Sequence, residues 1–218
     1  MNGMIKILYK DEMLAVAVKP AGVLSQPDRT GEDSMVTLLK AQLGREVFPV
    51  HRLDRAVGGL MIFAMTKAAA GKLSAIVTSD AFEKEYIAIS HGIPSEEKGE
   101  LLDFLFHDSK KNLTSVVPST HKDAKEAKLA YTLLAKDMEG EFSLVRVRLY
   151  TGRTHQIRVQ FASRSMPLAG DGKYGARDRM GLALWSSRLS FRHPVRKKMM
   201  TFEALPDGSL TPWDRFSL

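Results

Sequence analysis

Apolar positions fall mostly in short runs or strict alternation, and only briefly at helical spacing, which predicts more strand than helix. Residues 5–9 and 14–18 read as two short strands around the turn Lys10-Asp11-Glu12, the second stopping at Lys19-Pro20-Ala21-Gly22. After a polar loop at 25–31, Asp33 is placed to cap a helix carrying Val36, Leu39 and Leu43 and ending near Gly44. The unbroken apolar run 60–65 reads as a buried strand, and Thr66 then caps a helix through Ala68, Leu73, Ile76 and Val77. Alternation predicts strands at 82–89, 125–135 and 142–150, the last two joined as a hairpin. Between them, residues 100–123 read as a mobile basic loop or a hairpin. Gly152 suits a tight turn and Thr154 a helix cap; Ile157 and Phe161 then face the core together, with Arg158 toward the helix edge. Residues 170–175 form a glycine-rich loop, and 182–185, 189–191 and 199–204 read as final strands or short helices around a basic turn at 192–198. Strands outnumber helices without alternating with them, so the expected class is α+β with a mixed, mostly antiparallel sheet.

Composition narrows the partners. The 218 residues carry a formal charge of +7, which suits a polyanion and above all nucleic acid. No run of about 18 apolar residues predicts a membrane span, and Met1 to Lys6 lacks the layout of a signal peptide. The absence of cysteine removes disulfides and thiolate zinc sites and agrees with a cytoplasmic location. At this length we expect one domain spanning 1–218.

Four groups carry candidate chemistry. Asp54 lies between Arg52 and Arg55, with His51 before it and Gly58-Gly59 after it. A positioned carboxylate of this kind serves as nucleophile or base, although an isolated acid between arginines is more often a structural ion pair. Tyr86 interrupts a strand; Arg153, His155 and Arg158 cluster after a glycine turn; Asp171, Lys173 and Tyr174 sit on the 170–175 loop. That loop is too short and wrongly spaced for a P-loop. No His, Asp and Glu set has metal-ligand spacing, and no Ser-His-Asp arrangement is evident.

In combination these segments are more specific. The chain resembles the RluA-type RNA pseudouridine synthases through Lys19-Pro20-Ala21-Gly22, His51-Arg52-Leu53-Asp54, Lys84-Glu85-Tyr86 and residues 125–131. The likeness continues through Thr151-Gly152-Arg153-Thr154-His155-Gln156-Ile157-Arg158, residues 170–175 and Phe191-Arg192-His193-Pro194. The resemblance implies a pseudouridine synthase fold, with helices around the sheet and a central catalytic cleft. It also implies isomerisation of uridine in structured rRNA or tRNA, without metal or cofactor. Asp54 matches the catalytic carboxylate, acting at the sugar as nucleophile or drawing a proton from C2′. Tyr86 matches the tyrosine stacked on the uracil, and Arg158 the arginine paired with the aspartate. Arg52 matches the arginine that enters the RNA stack; His51, Arg153, His155 and Tyr174 are further substrate-binding candidates. We expect a monomer without an accessory N-terminal RNA-binding domain.

Three departures stand out. Where relatives commonly have Thr-Ser-Gly after Arg-x, this chain has Val57-Gly58-Gly59. The usual Val-His after the late arginine is Val159-Gln160, and a late Leu-His-Ala is Leu184-Trp185-Ser186. Competing readings are a catalytically inactive RNA-binding protein on the same scaffold, and a hydrolase needing a second acid, for which Asp171 is the loop candidate.

Overall fold

A computed structural model describes residues 4–218; Met1-Asn2-Gly3, part of the segment read for a signal peptide, lies outside the described residues. The chain forms two compact units. The first comprises residues up to Lys84 together with Trp185–Pro206; the second comprises Glu85–Leu184 and Asp207–Leu218.

In the first unit, β1 (Ile7–Lys10) and β2 (Leu14–Lys19) form an antiparallel pair. Strand β2 in turn pairs antiparallel with β4 (Gly58–Ala64), where Val18 lies opposite Leu60 and Lys19 opposite Gly59. The short β3 (Phe48–Pro49) pairs with the far end of β4. Strand β10 (Leu184–Arg192) runs parallel to β4 through Trp185 and Ser186, and β11 (Met199–Glu203) returns antiparallel to it. All seven residues of β4 are buried. A strand covered on both faces has no polar side to show, which is why its sequence is continuously apolar rather than alternating. Helix α2 (Lys67–Val77) begins where the Thr66 hydroxyl accepts the Ala69 N–H at 3.1 Å, and it places Ala69 and Leu73 in a core with Leu60, Ile62 and Phe191. Truncating Leu73 to Ala there would cost ~2–5 kcal/mol. Helix α1 (Met35–Leu43) corrects the expected cap by one residue. Ser34, not Asp33, caps it, because the Ser34 and Thr37 side chains satisfy each other's backbone N–H groups.

In the second unit the strand order is β5 (Glu83–His91), β9 (Phe142–Leu149), β8 (Lys125–Lys136), β6 (Lys98–Asp108), β7 (Leu113–Val117). Of the two readings for 100–123, the hairpin is the one found: β6 and β7 pair antiparallel from Phe104–Val117 to Asp108–Leu113. The expected β8–β9 hairpin is present, and Val145 and Val147 are buried while Arg146 and Arg148 on the other face are exposed. Helix α3 (Gln156–Ala162) differs from expectation twice. Thr154 does not cap it; His155 does, in the left-handed region at φ 54° and without a side-chain cap bond. Every residue from Gln156 to Phe161 is buried, so Arg158 lies inside the protein rather than at a helix edge. Among the described residues no helix is long and apolar enough to cross a membrane.

Candidate active site

The loop carrying Asp54 is fastened from several sides within the first unit. The Ser25 hydroxyl donates to the Leu53 carbonyl at 2.7 Å and accepts the Leu53 N–H at 3.1 Å. Gly22 N–H donates to the Arg55 carbonyl at 2.8 Å, and Arg55 Nε returns a bond to the Gly22 carbonyl at 3.0 Å. Val57 N–H closes a turn on the Asp54 carbonyl at 3.0 Å. The centre of this lattice is Lys19, which is fully buried. Its ammonium donates to the carbonyls of Pro20 and Val23 and to that of Arg55 at 2.9 Å. A lysine has three donors and no acceptor, so three carbonyls use it completely. Burial pushes this ammonium down to about 8, the Asp54 carboxylate opposes the fall, and Arg55 adds to it. Asp54 itself is half-buried at the surface of the loop.

The flanking arginines serve other ends. Arg55 makes a two-pronged bond to Glu32, with Nη1 on Oε1 at 2.9 Å. Arg52 is exposed. His51 faces inward: its Nε2 accepts the Ile62 N–H at 3.0 Å, and its ring lies 5.9 Å from that of Phe82. Burial, with the Lys84 ammonium adding to it, pushes the imidazole down to about 4. The proton is therefore on Nδ1, since Nε2 must keep its lone pair for Ile62.

Two of the sequence departures meet in one contact. A Cβ at Gly58 would stand 2.3 Å from Cζ3 and 2.5 Å from Cε3 of Trp185. The Trp185 ring, tied by Nε1 to the Ala204 carbonyl at 2.8 Å, occupies the space a side chain at 58 would need. Gly59 is fixed more strictly still, with φ 113° and the Ser186 backbone 2.3 Å from any Cβ.

In the second unit, Tyr86 is buried on β5. Arg158 clasps Asp171 with Nε on Oδ2 at 2.7 Å and Nη2 on Oδ1 at 2.8 Å, both side chains being nearly inaccessible. The guanidinium carbon lies over the Tyr174 ring, 5.0 Å from its centre. The Tyr174 hydroxyl accepts the Thr114 N–H at 2.9 Å and bonds His155 Nδ1 at 2.8 Å. Burial raises the Tyr174 phenol, against the opposing effect of its bond to Thr114 and of Arg158. Tyr174 and His155 thus form a framework around Arg158. Arg153 is exposed, anchored by Nε to the Glu126 carbonyl at 2.8 Å. Asp171, the candidate second acid of a hydrolase, is committed to Arg158 on both oxygens.

Sequence reasoning named Lys19 and Asp171 but missed the roles they play in organising these sites. Lys19 ends a strand that is otherwise apolar, Leu14-Ala15-Val16-Ala17-Val18, and is buried with it. The partner role of Asp171 had no local signal.

Comparison with known proteins agrees with this geometry. Residues 13–163 match the family model for RNA pseudouridylate synthase, and the chain belongs to that family, in its RluA-type branch. It is 32% identical over 227 residues to tRNA pseudouridine synthase C of Vibrio parahaemolyticus, covering 94% of this chain and 92% of the relative. It is 30% identical over 211 residues to an uncharacterized RNA pseudouridine synthase of Bacillus subtilis, covering 93% of this chain and 68% of that one. The fold matches the solved structure of human RNA pseudouridylate synthase domain containing 1, with a TM-score of 0.80 at 22% identity over 96% of this chain and 86% of the other. The protein is an RNA pseudouridine synthase with the α+β fold of that class.

Proposed function

We propose that the enzyme isomerises specific uridines of structured tRNA, with Asp54 as the catalytic carboxylate. The tRNA assignment rests on the names of relatives of matched length. The observation that supports the catalytic one is the fastening of the Asp54 loop: the buried Lys19 and the Ser25 and Gly22 bonds hold its backbone, and Asp54 itself stays half-buried rather than enclosed. In the reaction the N1–C1′ bond breaks, the uracil turns, and C5 joins C1′; C5 loses its proton and N1 gains one, so composition is unchanged. Asp54 acts either at C1′ as nucleophile or at C2′ as base. Tyr86 stacks on the uracil, Arg158 supports the aspartate, and Arg52 enters the stack the flipped nucleotide leaves. Arg153 contacts the RNA backbone, while His51, His155 and Tyr174 position their neighbours. The family match draws on residues of both units, which supports one catalytic domain. In this reading it acts as a monomer in the cytoplasm, on RNA alone, without metal or cofactor.

The test is pseudouridine mapping of tRNA and rRNA from a strain lacking the enzyme, after incubation with wild type or Asp54→Asn. Wild type should convert tRNA uridines and release no free uracil. Asp54→Asn should lose turnover and keep RNA affinity within roughly tenfold, because affinity lies mainly in phosphate contacts. Normal turnover by Asp54→Asn refutes the assignment.

A further inference from the structure

A cavity of about 490 Å³ opens in the second unit, and it contains none of Asp54, Tyr86 and Arg158. Its lining combines Phe106 and His107 from the end of β6, Thr114 from β7, Asp123 and Lys125 from the approach to β8, and Arg153 from the turn before α3. These residues are brought together by the hairpin and by one buried hydroxyl. The Thr114 hydroxyl donates to the Thr154 carbonyl at 3.0 Å and lies 3.0 Å from His107 Nδ1. A threonine has a single hydroxyl proton, and here it goes to Thr154. His107 must then donate from Nδ1. Phe106 presents a half-buried aromatic wall, in contact with the ring of His121 at 4.7 Å. At the rim, Lys125 and Arg153 are exposed cations, and the Nε bond to Glu126 holds Arg153 in place. The hairpin turn adds Lys110 and Lys111, and the turn before β8 adds Lys122, all exposed.

An aromatic wall, an imidazole and exposed cations around a volume of this size suit an unpaired nucleotide. The base stacks, its edge bonds the imidazole, and its phosphate meets the cations. We propose that this cavity is a second nucleotide subsite: it takes an unpaired nucleotide of the RNA substrate other than the uridine being isomerised. The base lies against Phe106, the phosphate between Lys125 and Arg153. The subsite selects among RNAs by demanding that an unpaired base reach it when the reacting uridine is in place. Its floor also touches the active-site framework, since the N–H of Thr114 bonds the Tyr174 hydroxyl under Arg158. The proposal rests on the reading of the protein as an RNA pseudouridine synthase.

The experiment compares wild type with Phe106→Leu, Phe106→Ala and Phe106→Trp. The probe is whichever RNA fraction, tRNA or rRNA, gains pseudouridine with the wild-type enzyme. Filter binding, the KM for that RNA and chemical probing of protected nucleotides are measured, with melting temperature as the control for folding. Loss of stacking should raise Kd and KM about tenfold in Phe106→Leu and Phe106→Ala, and leave them within about threefold in Phe106→Trp. One protected unpaired nucleotide, distinct from the modified uridine, should become reactive in the Leu variant. Phe106→Leu keeps most of the apolar volume at this half-buried position, and its melting temperature shows that it is folded. Wild-type Kd, KM and protection in a folded Phe106→Leu overturn the subsite. If wild type forms no pseudouridine in either fraction, it is the enzymatic reading that fails instead.

Discussion

Gly58→Ser tests the contact that separates this chain from its relatives. The new Cβ would sit 2.3 Å and 2.5 Å from two Trp185 ring carbons and 3.3 Å from the Ala21 nitrogen, so it cannot be accommodated without movement. The ring cannot simply swing away, because Nε1 is tied to Ala204 at 2.8 Å. Forcing a side chain into a packed site of this kind costs ~1–3 kcal/mol. For a chain of this size that lowers the melting temperature by ~2–4 °C per kcal/mol. Activity should fall as well. Val57, the neighbour of residue 58, donates its N–H to the Asp54 carbonyl, so a shift at 58 displaces the aspartate. We expect kcat/KM to drop at least tenfold. Introducing Trp185→His in the same protein removes the obstructing ring carbons and restores the pair of residue types that relatives carry at these positions. The double variant should be more stable than the sum of its parts by at least ~1 kcal/mol, above the ~0.5 kcal/mol scatter of independent sites. Thermal denaturation of the four proteins, with kcat/KM for each, closes the cycle. Additive losses, or a Gly58→Ser enzyme that melts like wild type, would show that the two departures are unrelated.

Other expectations follow from single groups. Asp171→Asn removes the carboxylate that clasps the buried Arg158 through both oxygens, which should cost ~3–5 kcal/mol and be visible as a large fall in denaturation midpoint; an unchanged midpoint would mean that other groups carry the arginine. The folded His51 imidazole at about 4 lies below its ordinary 6.5, so the unfolded chain binds more protons between those values. Stability from this group is therefore complete above pH 6.5 and is lost, by at most ~3 kcal/mol, as pH falls through 4. His51→Gln should flatten the melting temperature against pH over that window, and parallel curves would refute it. Tyr86→Phe should lose less kcat than Tyr86→Ala, because stacking survives in Phe; equal losses would assign the work to the hydroxyl.

Much of the fold was readable because burial and periodicity agreed. The apolar run 60–65 read as a buried strand and Thr66 as a helix cap, and the structure has β4 buried at every position and Thr66 capping α2. The hairpin at 98–117 was less legible because β6 alternates poorly: its buried residues are Leu101 and Leu105, four apart, with half-buried neighbours on both faces. Arg158 was expected at a helix edge because periodicity assigns charge to solvent, whereas the seven-residue α3 is buried on nearly every side. A helix enclosed in this way gives no amphipathic signal. The kink that starts it is a left-handed histidine, which has no sequence mark comparable to a glycine. The site was legible in its residue types and illegible in its pairings. Those pairings join segments far apart in the chain, such as Lys19 to Arg55.

Among the described residues each unit buries one lysine or arginine, Lys19 in the first and Arg158 in the second, and burial of a cation is a poor source of stability. Taking a charge out of water costs several kcal/mol, and apolar side chains of similar volume commonly do as well or better. What a buried cation supplies is geometry. Lys19 draws three carbonyls from two separate loops onto one nitrogen, which only an ammonium with three donors can do. Arg158 holds both oxygens of Asp171 with its guanidinium fork while lying over the Tyr174 ring, a combination the planar, bidentate guanidinium suits and a lysine ammonium does not. In one unit the rigid object is the loop that presents Asp54; in the other it is the arginine assigned to support it. The stability given up in desolvating both cations is spent on holding the proposed reacting groups still before RNA arrives, which is where preorganised electrostatics lowers a barrier.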